Sequence, residues 1–239
     1  MSVIIISCCG SKKTDSCFIL DGQPIKFHAN PNPSNSNEAH PDQIIPNSSQ
    51  TYREYLIKYN QTLECDRTFK LPKAADLYSP QIYRELAHKF AHFYIFSAGW
   101  GIVRKDFCLP DHDITFSGTQ PEYATLRKCG MGWNWHHGAN MQESPILDFN
   151  HLAEDIASGH INADEVIHFA GGRKYQDPLI ELIRSVQNNV VLWFKGRQKP
   201  LIEPSLTVRI KARKFETARN TNWHYEWARN CASGKLQLI

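Results

Sequence analysis

Short apolar runs alternate with amphipathic stretches along the chain. Residues Val3–Ser7 are apolar and mostly β-branched, which is typical of a strand buried on both faces. Comparable runs end near Ser97, at Ala170 and at Phe194, within "FYIFS", "EVIHFA" and "NVVLWF". Small or basic residues follow each run. The pattern predicts four buried strands, each ending in a turn.

Amphipathic segments between these runs predict helices. In "SPQIYRELAHKFAH", Ile82, Leu86 and Phe90 recur at intervals of four. The segments "TYREYLIKYN" and "DFNHLAEDIASG" also predict helices. In "DPLIELIRSVQ", Asp177 is the expected N-cap and Pro178 the first helical residue. Strands alternating with helices predict an α/β domain with a mainly parallel sheet.

Two segments interrupt this alternation. Residues 23–50 are rich in Pro, Asn and Ser and predict a long loop inserted into the domain. Residues 205–239 mix basic and aromatic side chains. The expected organisation is one α/β domain over residues 1–239 that carries both additions.

Composition restricts the class of protein. Of the 239 residues, 41% are hydrophobic and 21% charged, and no apolar run approaches the roughly 20 residues that cross a bilayer. The apolar start is too short for a signal peptide, so we expect a cytoplasmic protein that does not bind membranes. Seven cysteines without a CxxC pair suggest neither a disulfide framework nor a zinc site. We therefore expect no metal and no cofactor.

Charge is unevenly distributed. The formal net charge is only +3, but basic residues dominate from Arg173 to Arg229. A basic half favours a polyanionic partner such as nucleic acid. A basic surface that is merely solvated explains the charge equally well.

The turn after the first strand, "CCGSKK", is a candidate ligand site. Backbone N–H groups at Cys9 and Gly10, the Ser11 hydroxyl and the Lys12 ammonium group suit a base or a phosphate. The spacing of a Walker loop is absent. A tight surface turn is the alternative. Cys8 and Cys9 are adjacent on a strand and point to opposite faces, so a shared metal is not expected.

The stretch "SAGWGIVRKDFCLPDHDITF" contains the candidate chemistry. Gly99 and the ring of Trp100 could form a wall that stacks on a base. Asp111 and Asp113 could orient a water molecule and stabilise a cationic transition state. The alternative places Trp100 in the core and makes both acids loop caps.

Basic residues in the second half are candidate phosphate contacts. Arg173, Lys174 and Tyr175 follow Gly171–Gly172, and Arg213 lies in the basic aromatic segment. A packed C-terminal helix with a solvated basic face would also explain that segment. His168, on a predicted strand, is more typical of a core histidine. The segment "MGWNWHHGAN" offers Trp133 and Trp135 as further stacking residues, and its adjacent histidines are a weak zinc candidate.

Four stretches in order carry a resemblance. "IISCCGSKK", "AADLYSPQIYRELA", "YIFSAGWGIVRKD" and "LPDHDITF" resemble the YaaA-like family over about residues 3–117. The chain departs from that family at Gly99 and Trp100, where relatives often have Lys and Tyr. The resemblance implies the three-layer α/β/α architecture of the uracil-DNA-glycosylase-like superfamily. It extends to anti-phage DNA glycosylases that remove α-glucosylated hydroxymethylcytosine.

The resemblance implies roles for two loops. Asp111 and Asp113 would take the place of the acid loop that activates water, and "HFAGGRKYQDP" that of the loop inserted into DNA. The hypothesis is a DNA glycosylase that acts on modified bases in double-stranded foreign DNA, with no obligate protein partner. One alternative is a non-catalytic, YaaA-like DNA-binding stress protein. Another is an enzyme that acts on a free nucleotide or nucleoside.

Overall fold

The computed structural model describes residues 2–8, 12, 16–28, 35–62, 71–116, 148–197, 199–219 and 221–238. Its strands are β1 Ser2–Ser7, β2 Phe18–Leu20, β3 Gln23–Phe27, β4 Glu38–Ala39, β5 Phe93–Ser97, β6 Gly101–Arg104, β7 Phe149–Asn150, β8 Val166–Ala170, β9 Val190–Phe194 and β10 Ile210–Lys214. Its helices are α1 Tyr52–Gln61, α2 Ala74–Leu77, α3 Ile82–Lys89, α4 His151–Ala157, α5 Gln176–Leu182 and α6 Trp223–Ala232. Two 3₁₀ turns cover Arg173–Tyr175 and Pro204–Leu206.

A mainly parallel sheet forms the centre of the fold, as the sequence predicts. Its strand order is β10-β9-β8-β1-β5-β6-β7, and the five strands from β10 to β5 are all parallel. Strand β6 is antiparallel to β5. The four predicted strands are β1, β5, β8 and β9. Residues Val3–Ile6 have no exposed surface, which explains why β1 is continuously apolar.

The strand order locates the edge where ligands bind in such sheets. Along the chain the sheet grows from β1 to β5 on one side, then from β8 to β10 on the other. Growth therefore changes direction between β1 and β8, and sheets of this kind bind ligands near such a point, outside the carboxyl ends of the strands. Ser7 pairs with Phe96, and Ile6 pairs with Ala170, so β1, β5 and β8 end at the same edge.

The helix predictions are confirmed with one correction. Helices α1, α3, α4 and α5 lie where the apolar periodicity places them. Asp177 is not an N-cap and Pro178 is not the first helical residue, because α5 begins at Gln176 and its cap position is Tyr175. The preceding 3₁₀ turn leads directly into the helix, so the helix begins earlier in the sequence than predicted. Among the described residues, no helix has the length and apolar character needed to cross a bilayer.

The C-terminal segment contains the packed helix that was one of its two interpretations. Helix α6 buries Trp223, Tyr225 and Trp227. The ring centroid of Trp227 lies 5.8 Å from that of Trp193 in β9. These aromatic rings fill the core and are not displayed for nucleic acid.

The prediction of one long loop over residues 23–50 is wrong for part of that range. Strand β3 pairs antiparallel with β2 and parallel with β4, which makes a second, three-stranded sheet. Ile25 and Phe27 alternate with exposed residues along β3. That period of two was visible in "QPIKF", but the surrounding polar residues obscured it.

Helix α1 places an arginine in the interior. The helix begins at a capping box in which Thr51 Oγ1 accepts from the Glu54 N–H at 3.2 Å, and Glu54 accepts from the Thr51 N–H at 2.7 Å. The cap fixes the start of the helix and so directs Arg53, two residues later, inward. Only 6% of the Arg53 side chain is exposed.

Arg53 joins helix α1 to three other segments of the chain. Its guanidinium group is 2.6 Å from Asp42 and 3.3 Å from Asp148. It also donates to the carbonyl oxygens of Gly99 at 2.7 Å and Trp100 at 3.1 Å. The rings of Trp100 and Phe149 lie 5.4 and 5.2 Å from its central carbon. We call this group the Arg53 cluster.

Replacing Arg53 with methionine should destabilise the protein by about 3–5 kcal/mol, because two buried carboxylates would lose their countercharge. Urea unfolding followed by circular dichroism measures this. The matched control is Arg184→Met, since Arg184 pairs with Glu181 and Glu203 while 45% exposed and should cost less than about 1 kcal/mol. Equal losses in both variants would contradict the role of the Arg53 cluster.

Candidate functional site

Residues 111–116 form an extended segment whose side chains alternate in burial. His112, Ile114 and Phe116 are buried, whereas Asp111, Asp113 and Thr115 are partly exposed. Alternate residues of an extended chain point to opposite faces. Both carboxylates therefore share the outer face, and we call residues 111–116 the acidic segment.

The buried side chains of the acidic segment dock near the carboxyl ends of β1 and β5. The ring of Phe116 packs against Phe96 and Tyr175, with centroids 5.5 and 4.9 Å away. Ile114 packs on Gly99, where an added Cβ would lie 2.5 Å from Ile114 Cδ1. Gly99 also has φ +86°, a conformation that favours glycine. The turn after β5 is therefore shaped to receive the segment.

His112 makes the polar contacts of this inner face. Its Nε2 lies 3.2 Å from Tyr78 Oη and 3.2 Å from Ser97 Oγ, and Tyr78 Oη donates to Ser97 Oγ at 3.0 Å. Its Nδ1 accepts from the Ile114 N–H at 3.3 Å. Burial, with a smaller contribution from Lys12, holds the pKa of His112 well below its usual range. The imidazole is therefore neutral at neutral pH.

Backbone hydrogen bonds attach the acidic segment to the residues before β2 and to β3. The Asp111 N–H donates to Ser16 O at 2.8 Å, and the Asp113 N–H donates to Phe27 O at 2.7 Å. His112 and Phe27 form a parallel bridge. The segment is thus held between the central sheet and the three-stranded sheet.

A cavity of about 450 Å³ opens where these two parts meet. This volume is typical of ligand pockets. The described residues that line it are Lys12, Cys17, Pro24, Ile25, Lys26, Asn37, Asp111, His112 and Asp113. The two predicted catalytic carboxylates therefore share one cavity, together with two lysines.

Lys12 lies inside this site rather than on the surface. Its side chain is 7% exposed, its Nζ is 3.6 Å from Asp111 Oδ1, and it donates to the carbonyl oxygen of His112. Asp111 is 40% exposed at its side chain and accepts from the His112 N–H at 2.7 Å. The geometry favours a cation beside the carboxylates over the predicted contact with a DNA phosphate.

The burial of Trp100 argues against its predicted role as a stacking wall. The indole has no exposed surface, its ring is stacked on Phe149 with an interplanar angle of 11°, and Phe27 meets it edge to face. Arg53 covers it as well. Trp100 is a core residue here, and Gly99 serves packing rather than contact with a base.

The predicted phosphate contacts of the second half separate into two groups. Arg173, Lys174 and Arg213 have exposed side chains, and Arg213 lies 4.9 Å from the ring centroid of Trp193. Tyr175 is buried, and its Oη lies 3.1 Å from Cys8 Sγ. Burial and the neighbouring Cys8 raise the pKa of Tyr175 well above its usual range. The structure thus corrects the prediction for Tyr175, which is a packing residue.

His168 is the core histidine that the sequence suggested. It is fully buried in β8, and its Nδ1 accepts from Trp193 Nε1 at 3.2 Å. Burial lowers its pKa to about 4. No group of three or more His, Cys, Asp or Glu side chains among the described residues is arranged to hold a metal ion.

Several predicted site residues lie outside the described ranges. They are Cys9, Gly10 and Ser11 of the first turn, and Trp133, Trp135, His136 and His137 of the aromatic segment. Their roles stay predictions.

Two features of the site differ from what the sequence predicts. The alternation in "DHDITF" is that of an extended segment, where the sequence predicts a loop. The outer wall formed by Ile25, Lys26 and Asn37 was not predicted. The alternation in "QPIKF" indicates β3, but the contact of β3 with Asn37 and β4 depends on pairing across the insertion.

Comparison of the chain with protein-family models, with curated proteins and with solved structures finds no match. The geometry of the site and the motifs of the sequence are therefore the basis for a functional proposal.

The depressed pKa of His112 predicts a pH effect on stability. The unfolded chain takes up a proton on this histidine near pH 6.5, whereas the folded protein does not. The contribution of His112 to the free energy of unfolding is therefore fully present above pH 6.5 and is lost as the solution is acidified. Between pH 6 and pH 5, wild type should lose up to about 1.4 kcal/mol more than His112→Gln.

Urea unfolding at pH 7, 6 and 5 gives this difference in slope. The other buried histidines are present in both proteins, so their contributions cancel. Parallel curves for wild type and variant would show that His112 does not stay neutral in the fold.

Proposed function

We propose that the chain is a DNA glycosylase that removes a modified base from foreign DNA and leaves an abasic site. The observation that carries the proposal is the cavity in which Asp111, Asp113 and Lys12 meet at the carboxyl edge of the sheet. The mainly parallel sheet supports it because the uracil-DNA-glycosylase-like fold, a three-layer α/β/α arrangement, is built on one. A glucosylated hydroxymethylcytosine in phage DNA is the substrate that the sequence resemblance favours.

The carboxylates suit hydrolysis of an N-glycosidic bond. A base must leave the duplex before its glycosidic bond can be reached. As that bond breaks, its electrons go to the base and positive charge develops on the sugar, which a nearby carboxylate stabilises. Water adds to the sugar carbon and gives a proton to Asp111 or Asp113. That proton then passes to the departing base, so the products are an abasic sugar and the neutral free base, and the carboxylate is restored.

Lys12 suits the other half of this reaction. The departing base carries the bonding electrons, and an ammonium group within the cavity stabilises the negative charge that develops there. Its contacts with Asp111 and the His112 carbonyl hold the ammonium group in place before the substrate binds. A cation that is already held in position lowers the activation free energy more than one that must be ordered during the reaction.

The exposed cations suit the DNA backbone. Arg173 and Lys174 follow β8, and so leave the sheet at the same edge as β5, whose last residue Ser97 contacts His112 of the cavity wall. Contacts between such side chains and phosphates orient a duplex without reading its sequence. Arg213 would add to this interaction.

A second candidate is the non-catalytic DNA-binding protein. The observation that favours it is the ion pair between Lys12 and Asp111, because the ammonium group of Lys12 already balances the charge of that carboxylate. Such a protein would bind DNA in a salt-dependent way and release no base.

A base-release assay separates the two candidates. Purified protein is incubated with duplexes from phage DNA with modified and unmodified bases, and alkali then cuts any abasic site. The glycosylase proposal predicts cleavage of one modified substrate, with a loss of about 10²–10⁴-fold in Asp111→Asn or Asp113→Asn. Asp164→Asn, at an exposed position outside the cavity, is the matched control and should keep full activity.

Salt-dependent binding to DNA, with no base released from any of the substrates, would favour the second candidate. Activity unchanged in both cavity variants would place the chemistry elsewhere. Full turnover of a free nucleoside, unaffected by Arg173→Gln and Lys174→Gln, would indicate an enzyme that does not act on DNA.

A further inference from the structure

We infer that His112 is a positioning residue of this site: its buried imidazole, protonated on Nε2, fixes the direction of the two flanking carboxylates. Its effect on turnover rests on the proposed glycosylase function. Its effect on the geometry of Asp111 and Asp113 does not.

The hydrogen bonds define the tautomer of the imidazole. Nδ1 faces the Ile114 N–H at 3.3 Å and must accept, so the ring proton of the neutral form is on Nε2. Nε2 then donates to Tyr78 Oη or Ser97 Oγ, each 3.2 Å away. Tyr78 Oη already donates to Ser97 Oγ, so the Tyr78 oxygen is available to accept from Nε2, and both ring nitrogens have a partner.

The bonds of His112 reach three different parts of the site. The imidazole attaches to Tyr78, which follows α2, and to Ser97 at the end of β5. The His112 N–H binds the Asp111 carboxylate at 2.7 Å, and the His112 carbonyl accepts from Lys12. One residue therefore fixes the rotation of the backbone between the two acids and also orients one carboxylate and the cation.

Packing alone does not require a histidine at this position. A leucine would fill a buried site without the cost of removing an imidazole from water, and that cost is offset here only by directed hydrogen bonds. Those bonds restrict how the segment can rotate about its own axis. Such rotation would turn Asp111 and Asp113 away from the cavity together, because they share one face.

The test uses three variants and two independent measurements. His112→Leu keeps the volume and removes the hydrogen bonds, and His112→Gln keeps a side-chain donor. His224→Leu removes another buried histidine, in α6, outside the cavity. Nitrogen-15 NMR of wild type reports the tautomer of His112. Carbon-13 NMR reports the side-chain carboxyl signals of Asp111 and Asp113 in all proteins.

We expect a neutral His112 with its proton on Nε2. His112→Leu should shift both carboxyl signals and lower kcat by about 10²-fold, with a much smaller change in KM, since misplaced catalytic groups act mainly on the chemical step. His112→Gln should recover part of both effects, and His224→Leu should show neither.

A proton on Nδ1 in wild type, or unchanged carboxyl signals in His112→Leu, would overturn the inference. So would a loss of kcat in His224→Leu as large as that in His112→Leu. If wild type releases no base, the glycosylase proposal fails, and the NMR signals still decide whether His112 positions the acids.

Discussion

The candidate site depends on the docking of the acidic segment across the carboxyl edge of the central sheet. Its inner side chains make three contacts with the rest of the fold. His112 binds Tyr78 and Ser97. Ile114 packs on the backbone of Gly99, and Phe116 packs on Phe96. Alternate side chains of an extended chain point to opposite faces, so both carboxylates lie on the outer face once the inner face is packed.

The Arg53 cluster supports that docking surface from behind. Arg53 binds the carbonyl oxygens of Gly99 and Trp100, so it holds the turn on which Ile114 packs. The same guanidinium group contacts Asp42 of the insertion and Asp148 beside β7. A buried arginine with four directed hydrogen bonds favours one arrangement of these segments over others.

Polar groups are used where an apolar core would have been simpler. His112, Arg53 and Lys12 are largely removed from water, yet each has partners that offset the loss of hydration. His112 belongs to the acidic segment, Lys12 contacts Asp111 within it, and Arg53 binds the turn on which Ile114 packs. This concentration of buried polar interactions around one pair of carboxylates is typical of a functional site.

Local patterns predicted much of the fold but little of the cavity. Burial determines both apolar runs and helical periodicity, so these patterns were sufficient to predict the strands β1, β5, β8 and β9 and the helix around Leu86. The position of Trp100 was not predictable, since a Gly-Trp-Gly turn suits a core ring and an exposed one equally. The partner of Lys12 was also hidden, as Asp111 is about a hundred residues away and they meet only through the tertiary fold.

The wall of the cavity illustrates the same limit. Polar composition over residues 23–50 predicted a loop, but two apolar residues, Ile25 and Phe27, were enough to form β3. The pairing of β3 with β2 is local, across the two-residue turn of Asp21 and Gly22, and an Asp-Gly pair is typical of such hairpins. The pairing of β3 with β4 joins residues about a dozen positions apart, and that part of the sheet had no local signal.

The most direct test of the account is a crystal structure of the Asp111→Asn variant bound to a duplex that carries the preferred modified base. The account predicts that one nucleotide is flipped out of the duplex, with its glycosidic bond beside residues 111 and 113 and its base between the acidic segment and β3. A duplex bound with every base stacked, or with the flipped nucleotide outside this cavity, would contradict it.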